Sequence, residues 1–248
     1  MELKILGSSS AGNCYIFDNG KEALVVECGV AFNEVKKAVN FDIARIVGAL
    51  VSHEHEDHAK EVQKFLKMRI PVFTSVGTIK AMNIKSNNHL LDMVKVGQPA
   101  IRVKNFIVLP FNVQHDAAEP LGFLIHHPEM GTVLFATDTY YLAHTFSGLN
   151  NILIECNYSS DILDRNTKNS CIPKAQRDRT IQSHMSFDTC KETLLANDLS
   201  AVNNIVLIHL SDGNSNALEF QQGIQVATGK TVHVADKGMT LKFNKTPF

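Results

Sequence analysis

The chain lacks the features that would place it in a membrane or staple it covalently. No apolar run in its 248 residues approaches the roughly 18 needed to cross a bilayer, so no membrane partner is expected. The opening Met1-Glu2-Leu3-Lys4-Ile5-Leu6 is too short and too charged for a secretory signal, and a cytoplasmic location is expected. Cys14, Cys28, Cys156, Cys171 and Cys190 are odd in number and show no close pairing. That excludes a disulfide framework and leaves reduced thiols, those after the apolar strands at Cys28 and Cys156 being structural. A formal net charge of −1 gives no polyelectrolyte signal, so any nucleic-acid contact must come from a local patch. Repeats, low-complexity tracts and proline-rich linkers are missing too. With 44% hydrophobic and 20% charged residues, the chain reads as one globular domain, 1–248, with ample core.

What the chain does have is concentrated in His53-Glu54-His55-Glu56-Asp57-His58. The unbroken apolar run Ile46–Val51 before it reads as a buried strand. Ala59, Val62, Phe65 and Leu66 after it recur at helical spacing, predicting a helix over Ala59–Lys67. His53 and His55, two apart in extended chain, can face one cation. Asp57 and His58, at the mouth of the helix, suit a second. A plainer reading makes Asp57 a helix cap and leaves the histidines solvated.

Further polar residues stand where predicted strands or helices end. His115 follows Phe106–Gln114, Asp138 follows Thr132–Ala136, and His209 follows Ile205–Ile208. His184 precedes a helix opened by Ser186 as N-cap. Loops at strand ends converge above a rigid sheet, which is where ligands collect. His89, His126, His127, His144 and His233 lack that placement and read as structural or exposed. Strands alternating with helices give a βαβ rhythm after an antiparallel opening. Tyr158–Ser183 is the least patterned stretch, and reads as a loop carrying Arg165, Lys168, Lys174, Arg177 and Arg179. Such a loop either grips phosphates or is simply solvated.

This pattern resembles the metallo-β-lactamase fold superfamily over nearly the whole chain. Gly7–Cys14, His115–Pro120, Ser183-His184-Met185-Ser186 and His209-Leu210-Ser211 are similar, more narrowly, to its bacterial YycJ-like (WalJ) subgroup. The resemblance implies an α/β (α+β) fold, a four-layer αββα sandwich. It also implies a ligand set: His53, His55 and His115 on one metal, Asp57, His58 and His209 on the other, and Asp138 bridging both. Glu155 and His184 match the acid and the separate, non-ligand histidine of the family's phosphodiesterases, such as ribonucleases Z and J. Asp57 is counted with these two as catalytic, besides being a ligand. The stretch between Asp138 and His209 has no room for the inserted cap domain of ribonuclease J.

The function implied is a dinuclear metal-dependent phosphodiesterase or nuclease, hydrolysing DNA or RNA through a hydroxide shared by the two cations. Zn²⁺ suits mixed imidazole and carboxylate donors, and Mn²⁺ or Fe²⁺ can occupy the same sites. The alternative is a small-molecule hydrolase of this fold, acting on a thioester, lactone or cyclic phosphodiester. A non-catalytic scaffold is the third reading. Gly7–Cys14 leads into a strand and not a helix, so it is no P-loop. Ser8 and Asn13 in it are candidate substrate contacts.

Overall fold

A computed structural model describes residues 1–84 and 90–247; His89 lies outside them. Its first half runs β1 (Glu2–Gly7), β2 (Cys14–Asp18), β3 (Ala23–Val26), α1 (Phe32–Ala38), β4 (Ile46–Leu50), α2 (Glu56–Ala59), α3 (Val62–Lys67), β5 (Val72–Thr74), α4 (Val76–Ala81) and β6 (Leu91–Met93). The second half runs β7 (Ile101–Val103), β8 (Phe106–Asn112), β9 (Leu121–His127), β10 (Gly131–Ala136), β11 (Leu149–Glu155), α5 (Ser160–Lys168), α6 (Lys174–Ser183), α7 (Phe187–Leu195), β12 (Asn204–Ile208), α8 (Ala217–Thr228), β13 (Thr231–Val234) and β14 (Thr240–Lys242). The strands form two seven-stranded sheets, ordered β14-β1-β2-β3-β4-β5-β6 and β13-β12-β11-β10-β9-β8-β7.

Side-chain alternation explains why the sheets stack. Along β2, Tyr15 and Phe17 point into a core that also takes Phe123, Phe135 and Leu153 from the other sheet. Cys14 and Ile16 point the other way, under Phe32, Val35 and Phe65 of α1 and α3. The far face of the second sheet packs Ile152, Ile154, Ile205 and Leu207 against Cys190, Leu194, Phe220 and Ile224 of α7 and α8. Both faces of each sheet are thus covered, and the strands read as apolar runs with little polar alternation. Three apolar layers between four structural ones make the αββα sandwich. Four cysteines are buried and Cys171 is exposed, all as free thiols. Among the described residues, no helix is long and apolar enough to cross a membrane.

Two expectations need correction. The helix predicted over Ala59–Lys67 is broken, because backbone groups at its start bond elsewhere. Asp57 O accepts from Asn13 N at 2.8 Å, and Glu61 N donates to Cys28 O at 3.0 Å. Tyr158–Ser183 is not a loop, since α5 and α6 occupy most of it. Its helices were hidden because only Leu163 of α5 and Ser183 of α6 are buried, leaving no apolar stripe to betray the period.

The same lacing positions the histidine-rich segment. Cys28 N donates to His58 O at 2.7 Å and Gly29 N to Asn13 O at 3.0 Å, so three loops share one knot. Only glycine fits at position 29, where an added Cβ would stand 1.6 Å from Asp57 O. Gly29→Ala should therefore push the Asp57 segment outward. It should cost at least about 1–3 kcal/mol, the ordinary price of overpacking, and lower the transition-metal content of purified protein. Unchanged melting and metal content would show that this knot does not hold the segment.

Candidate metal centre

Seven sequence-predicted ligands converge at one edge of the sandwich in two groups of donor atoms. In the first, His55 Nδ1 stands 3.1 Å from His53 Nε2 and 3.2 Å from His115 Nε2. Asp138 Oδ2 closes this group at 3.4 Å from His53 Nε2 and 3.5 Å from His115 Nε2. In the second, His58 Nε2 is 3.2 Å from Asp57 Oδ2 and 3.1 Å from Asp138 Oδ2. His209 joins through Nε2, 3.4 Å from Asp57 Oδ2, and Nδ1, 3.3 Å from Asp138 Oδ1. Asp138 belongs to both groups.

These spacings fit a divalent cation. A tetrahedral ion with ligands at about 2.0–2.1 Å has donor–donor edges of about 3.3–3.4 Å. Three ring nitrogens facing one another also repel unless a cation or a proton takes up their lone pairs. His115 Nδ1 donates to Ser183 O at 2.9 Å, so the neutral ring turns a bare Nε2 toward its group. Behind the other rings, His53 Nδ1 meets Ser52 Oγ at 2.9 Å and His58 Nδ1 faces Glu27 Oε2 at 3.4 Å. Such outer partners set ring orientation at metal sites. Asp57 is not a helix cap: its carboxylate accepts from Asn13 Nδ2 and faces His58 and His209.

Backbone strain marks the same place. Glu27, Asp138 and His209 have φ of 69°, 47° and 55° at the ends of β3, β10 and β12. Non-glycine residues rarely adopt that region, and strain of this kind collects at functional sites. Here it turns three buried side chains off their strands into one volume.

A third cluster adjoins the second donor group through Asp138 and His209, and contains Glu155 and His184. His184 Nδ1 donates to Glu155 Oε1 at 2.7 Å. Glu155 is fully buried, and accepts also from Thr139 N at 2.9 Å and Met185 N at 3.2 Å. Burial opposes charge on His184, but the Glu155 carboxylate outweighs it and raises the imidazole above its ordinary value. Nε2 is left over, and His184 lines a cleft of about 500 Å³ with His209, Asn157, Asn166, Thr180 and Asn214.

Ser8 and Asn13, the candidate substrate contacts, both touch the second donor group. Ser8 Oγ accepts from His209 N at 2.9 Å and bonds Tyr15 Oη at 2.8 Å. Asn13 is fully buried, with Nδ2 3.1 Å from His58 Nε2. Both side chains hold the histidine-bearing loops. Of the basic residues predicted beside the site, Arg177 pairs with Asp164 and Asp178, and Arg179 with Asp116. His126 and His127 bond Thr132 and Glu22 instead of joining the cluster. Glu27, Ser52, Ser183 and Asn157, which donates to His209 O at 2.8 Å, were missed by sequence reasoning. Glu27, Ser52 and Asn157 had a signal, their places at strand ends, and Ser183 had its motif; none of the four showed which histidine it would meet.

Residues 9–81 match the family model described as the metallo-beta-lactamase superfamily. The chain is 30% identical over 178 residues to exodeoxyribonuclease YycJ of Bacillus anthracis, covering 66% of this chain and 65% of that protein, just under two thirds of the relative. It is 26% identical over 226 residues to exodeoxyribonuclease WalJ of Streptococcus pneumoniae, covering 85% and 82%. The chain is a metallo-beta-lactamase-fold protein. Solved structures share its fold at low identity. YhfI from Bacillus subtilis superposes with a TM-score of 0.73 at 14% identity, over 97% of this chain and 99% of that one. Human tRNase Z, short form, gives 0.64 at 14%, over 98% and 99%. Within that fold, this chain is YycJ/WalJ-like.

The charges of the cluster have a consequence for stability. His209 is buried, which opposes its charge, yet Asp138, Asp57 and Glu155 push it up to about 10. His58 is raised in the same way by Asp138 and Glu27 against its burial. A group raised on folding stabilises fully below its unfolded value and loses that contribution as pH climbs through its folded one. Chelator-treated protein should therefore melt at falling temperature as pH rises from 6.5 toward 10, the window set by His209. His209→Gln should flatten that trend. A trend as steep in the variant as in the parent would place the effect elsewhere.

Proposed function

We propose that this chain is a metal-dependent nuclease that hydrolyses phosphodiester bonds of nucleic acid, with two divalent cations held by the two donor groups. His53, His55 and His115 would hold one, Asp57, His58 and His209 the other, and Asp138 both. The observation that carries the reading is the Glu155–His184 pair, set against the shared Asp138 and facing an open cleft. The curated relatives named as exodeoxyribonucleases support DNA as substrate. Zn²⁺ suits the donor types, and Mn²⁺ or Fe²⁺ can replace it. A nucleic-acid substrate of this kind supports a cytoplasmic location.

When bound, the cations supply a water acidified to near neutrality and neutralise charge on the phosphate. The chain's own residues do the rest. Asp57 and Asp138 keep their negative charge at neutral pH, since His209 and His58 hold both carboxyls well below the usual range despite burial. Glu155 orients His184 and favours its protonated form, so Nε2 carries a proton into the cleft. There it can protonate the leaving oxygen, the step a general acid serves. Asn157, Asn166 and Asn214 line the cleft, and their amide nitrogens donate to His209 O, Gly213 O and Ser211 Oγ, which fixes its wall.

His184→Ala should keep the bound metal and slow hydrolysis by about 10²–10⁴. Loss of metal instead would make His184 a ligand. The function itself is tested by comparing bis-p-nitrophenyl phosphate, single- and double-stranded oligonucleotides, a lactone and a lactam, with and without a chelator. Chelator-sensitive cleavage of the phosphodiesters, with oligonucleotide affinity falling steeply as salt rises, is expected. Cleavage of the lactone alone, indifferent to salt, would replace this reading with that of a small-molecule hydrolase.

A further inference from the structure

Arg179 is set apart from the other basic residues of α5 and α6 by what it touches. Its Nε donates to Asp116 Oδ2 at 3.1 Å. The other oxygen of that carboxylate stands 3.3 Å from His115 Nε2. A single carboxylate therefore separates the guanidinium from the first donor group. Ser183 lies four residues further along α6, on the same helical face, and its carbonyl accepts from His115 Nδ1 at 2.9 Å. That face is turned to the centre, and Arg179 overhangs its rim with 70% of its side chain exposed. The two terminal nitrogens of Arg179 have no partner among the described residues.

An exposed ion pair of this kind is weak, so the guanidinium can leave Asp116 at little cost. A phosphate takes the planar fork through two parallel hydrogen bonds, a better match than one contact to a carboxylate. We propose that Arg179 grips a second phosphate of the substrate, linked through the same strand to the one that reacts. Asp116 holds the guanidinium in place until that phosphate arrives. The consequence is selectivity: a polynucleotide fills both positions, and an ester with one phosphate fills only the reacting one. This assignment rests on the nuclease reading. It differs from a latch, in which Arg179 merely ties α6 to the His115 loop and would affect all substrates alike.

The test pairs Arg179→Ala with an oligonucleotide in which the phosphate next to the cleaved one is a neutral methylphosphonate. The parent protein should lose roughly tenfold or more in kcat/KM on the modified strand, the scale of a hydrogen bond to a charged group. Arg179→Ala should lose a similar factor on the unmodified strand and little more on the modified one, since both changes remove one contact. Its loss on bis-p-nitrophenyl phosphate should be smaller. Affinity for an uncleavable phosphorothioate strand should fall less steeply with salt, by a slope of about 0.7 for one phosphate. Arg179→Lys, which keeps the charge but not the fork, should fall between. Losses that multiply, or that are equal on oligonucleotide and bis-p-nitrophenyl phosphate, overturn the assignment and leave the nuclease reading intact. Parent protein inert on every oligonucleotide but active on the one-phosphate ester overturns both.

Discussion

The centre depends on one carboxylate. Asp138 is buried, carries charge, and has four imidazoles from three different segments within 3.5 Å, those of His53, His58, His115 and His209. Removing such a charge from water is tolerable only if cations or protonated rings surround it. Every neighbour is in turn anchored behind by Ser52, Glu27, Ser183 or Asn157. The result is a polar cluster in which each member's orientation is determined by the next, inside a fold that otherwise buries apolar groups.

The sandwich makes that cluster rigid. Strand ends of both sheets supply the side chains, and three of them leave their strands through left-handed backbone at Glu27, Asp138 and His209. The loops of the first sheet are knotted by backbone hydrogen bonds among Asn13, Cys28, Gly29, Asp57 and His58. A site held this way has little freedom to adjust to what enters it. Selection among substrates is left to the parts outside the knot, namely the cleft beside His184 and the face of α6 that carries Arg179 and Ser183.

Much of this is legible in the sequence. His53–His58 announced itself through four ligands packed between an apolar strand and a helical period, and Asp138 and His209 through their places after apolar runs. The β-strands were read well, because buried strands leave long apolar runs. α5 and α6 were not, because almost none of their residues are buried and a solvated helix leaves no stripe. α4 escaped notice too, although Ser75 accepts from Thr78 N and caps it. The break between α2 and α3 was invisible, since it arises from hydrogen bonds to Asn13 and Cys28, far away in the chain.

By itself, the sequence determined which residues have the chemistry to hold cations and which runs must be buried, since side-chain type and period are local properties. Folding alone decided that Asn13 and Ser8 reach His58 and His209, that Glu27 faces His58, and that one basic residue in five reaches the rim of the centre. Those outcomes turn on contacts between segments as many as 201 residues apart, such as His209 N to Ser8 Oγ, and no local pattern records a partner at that distance.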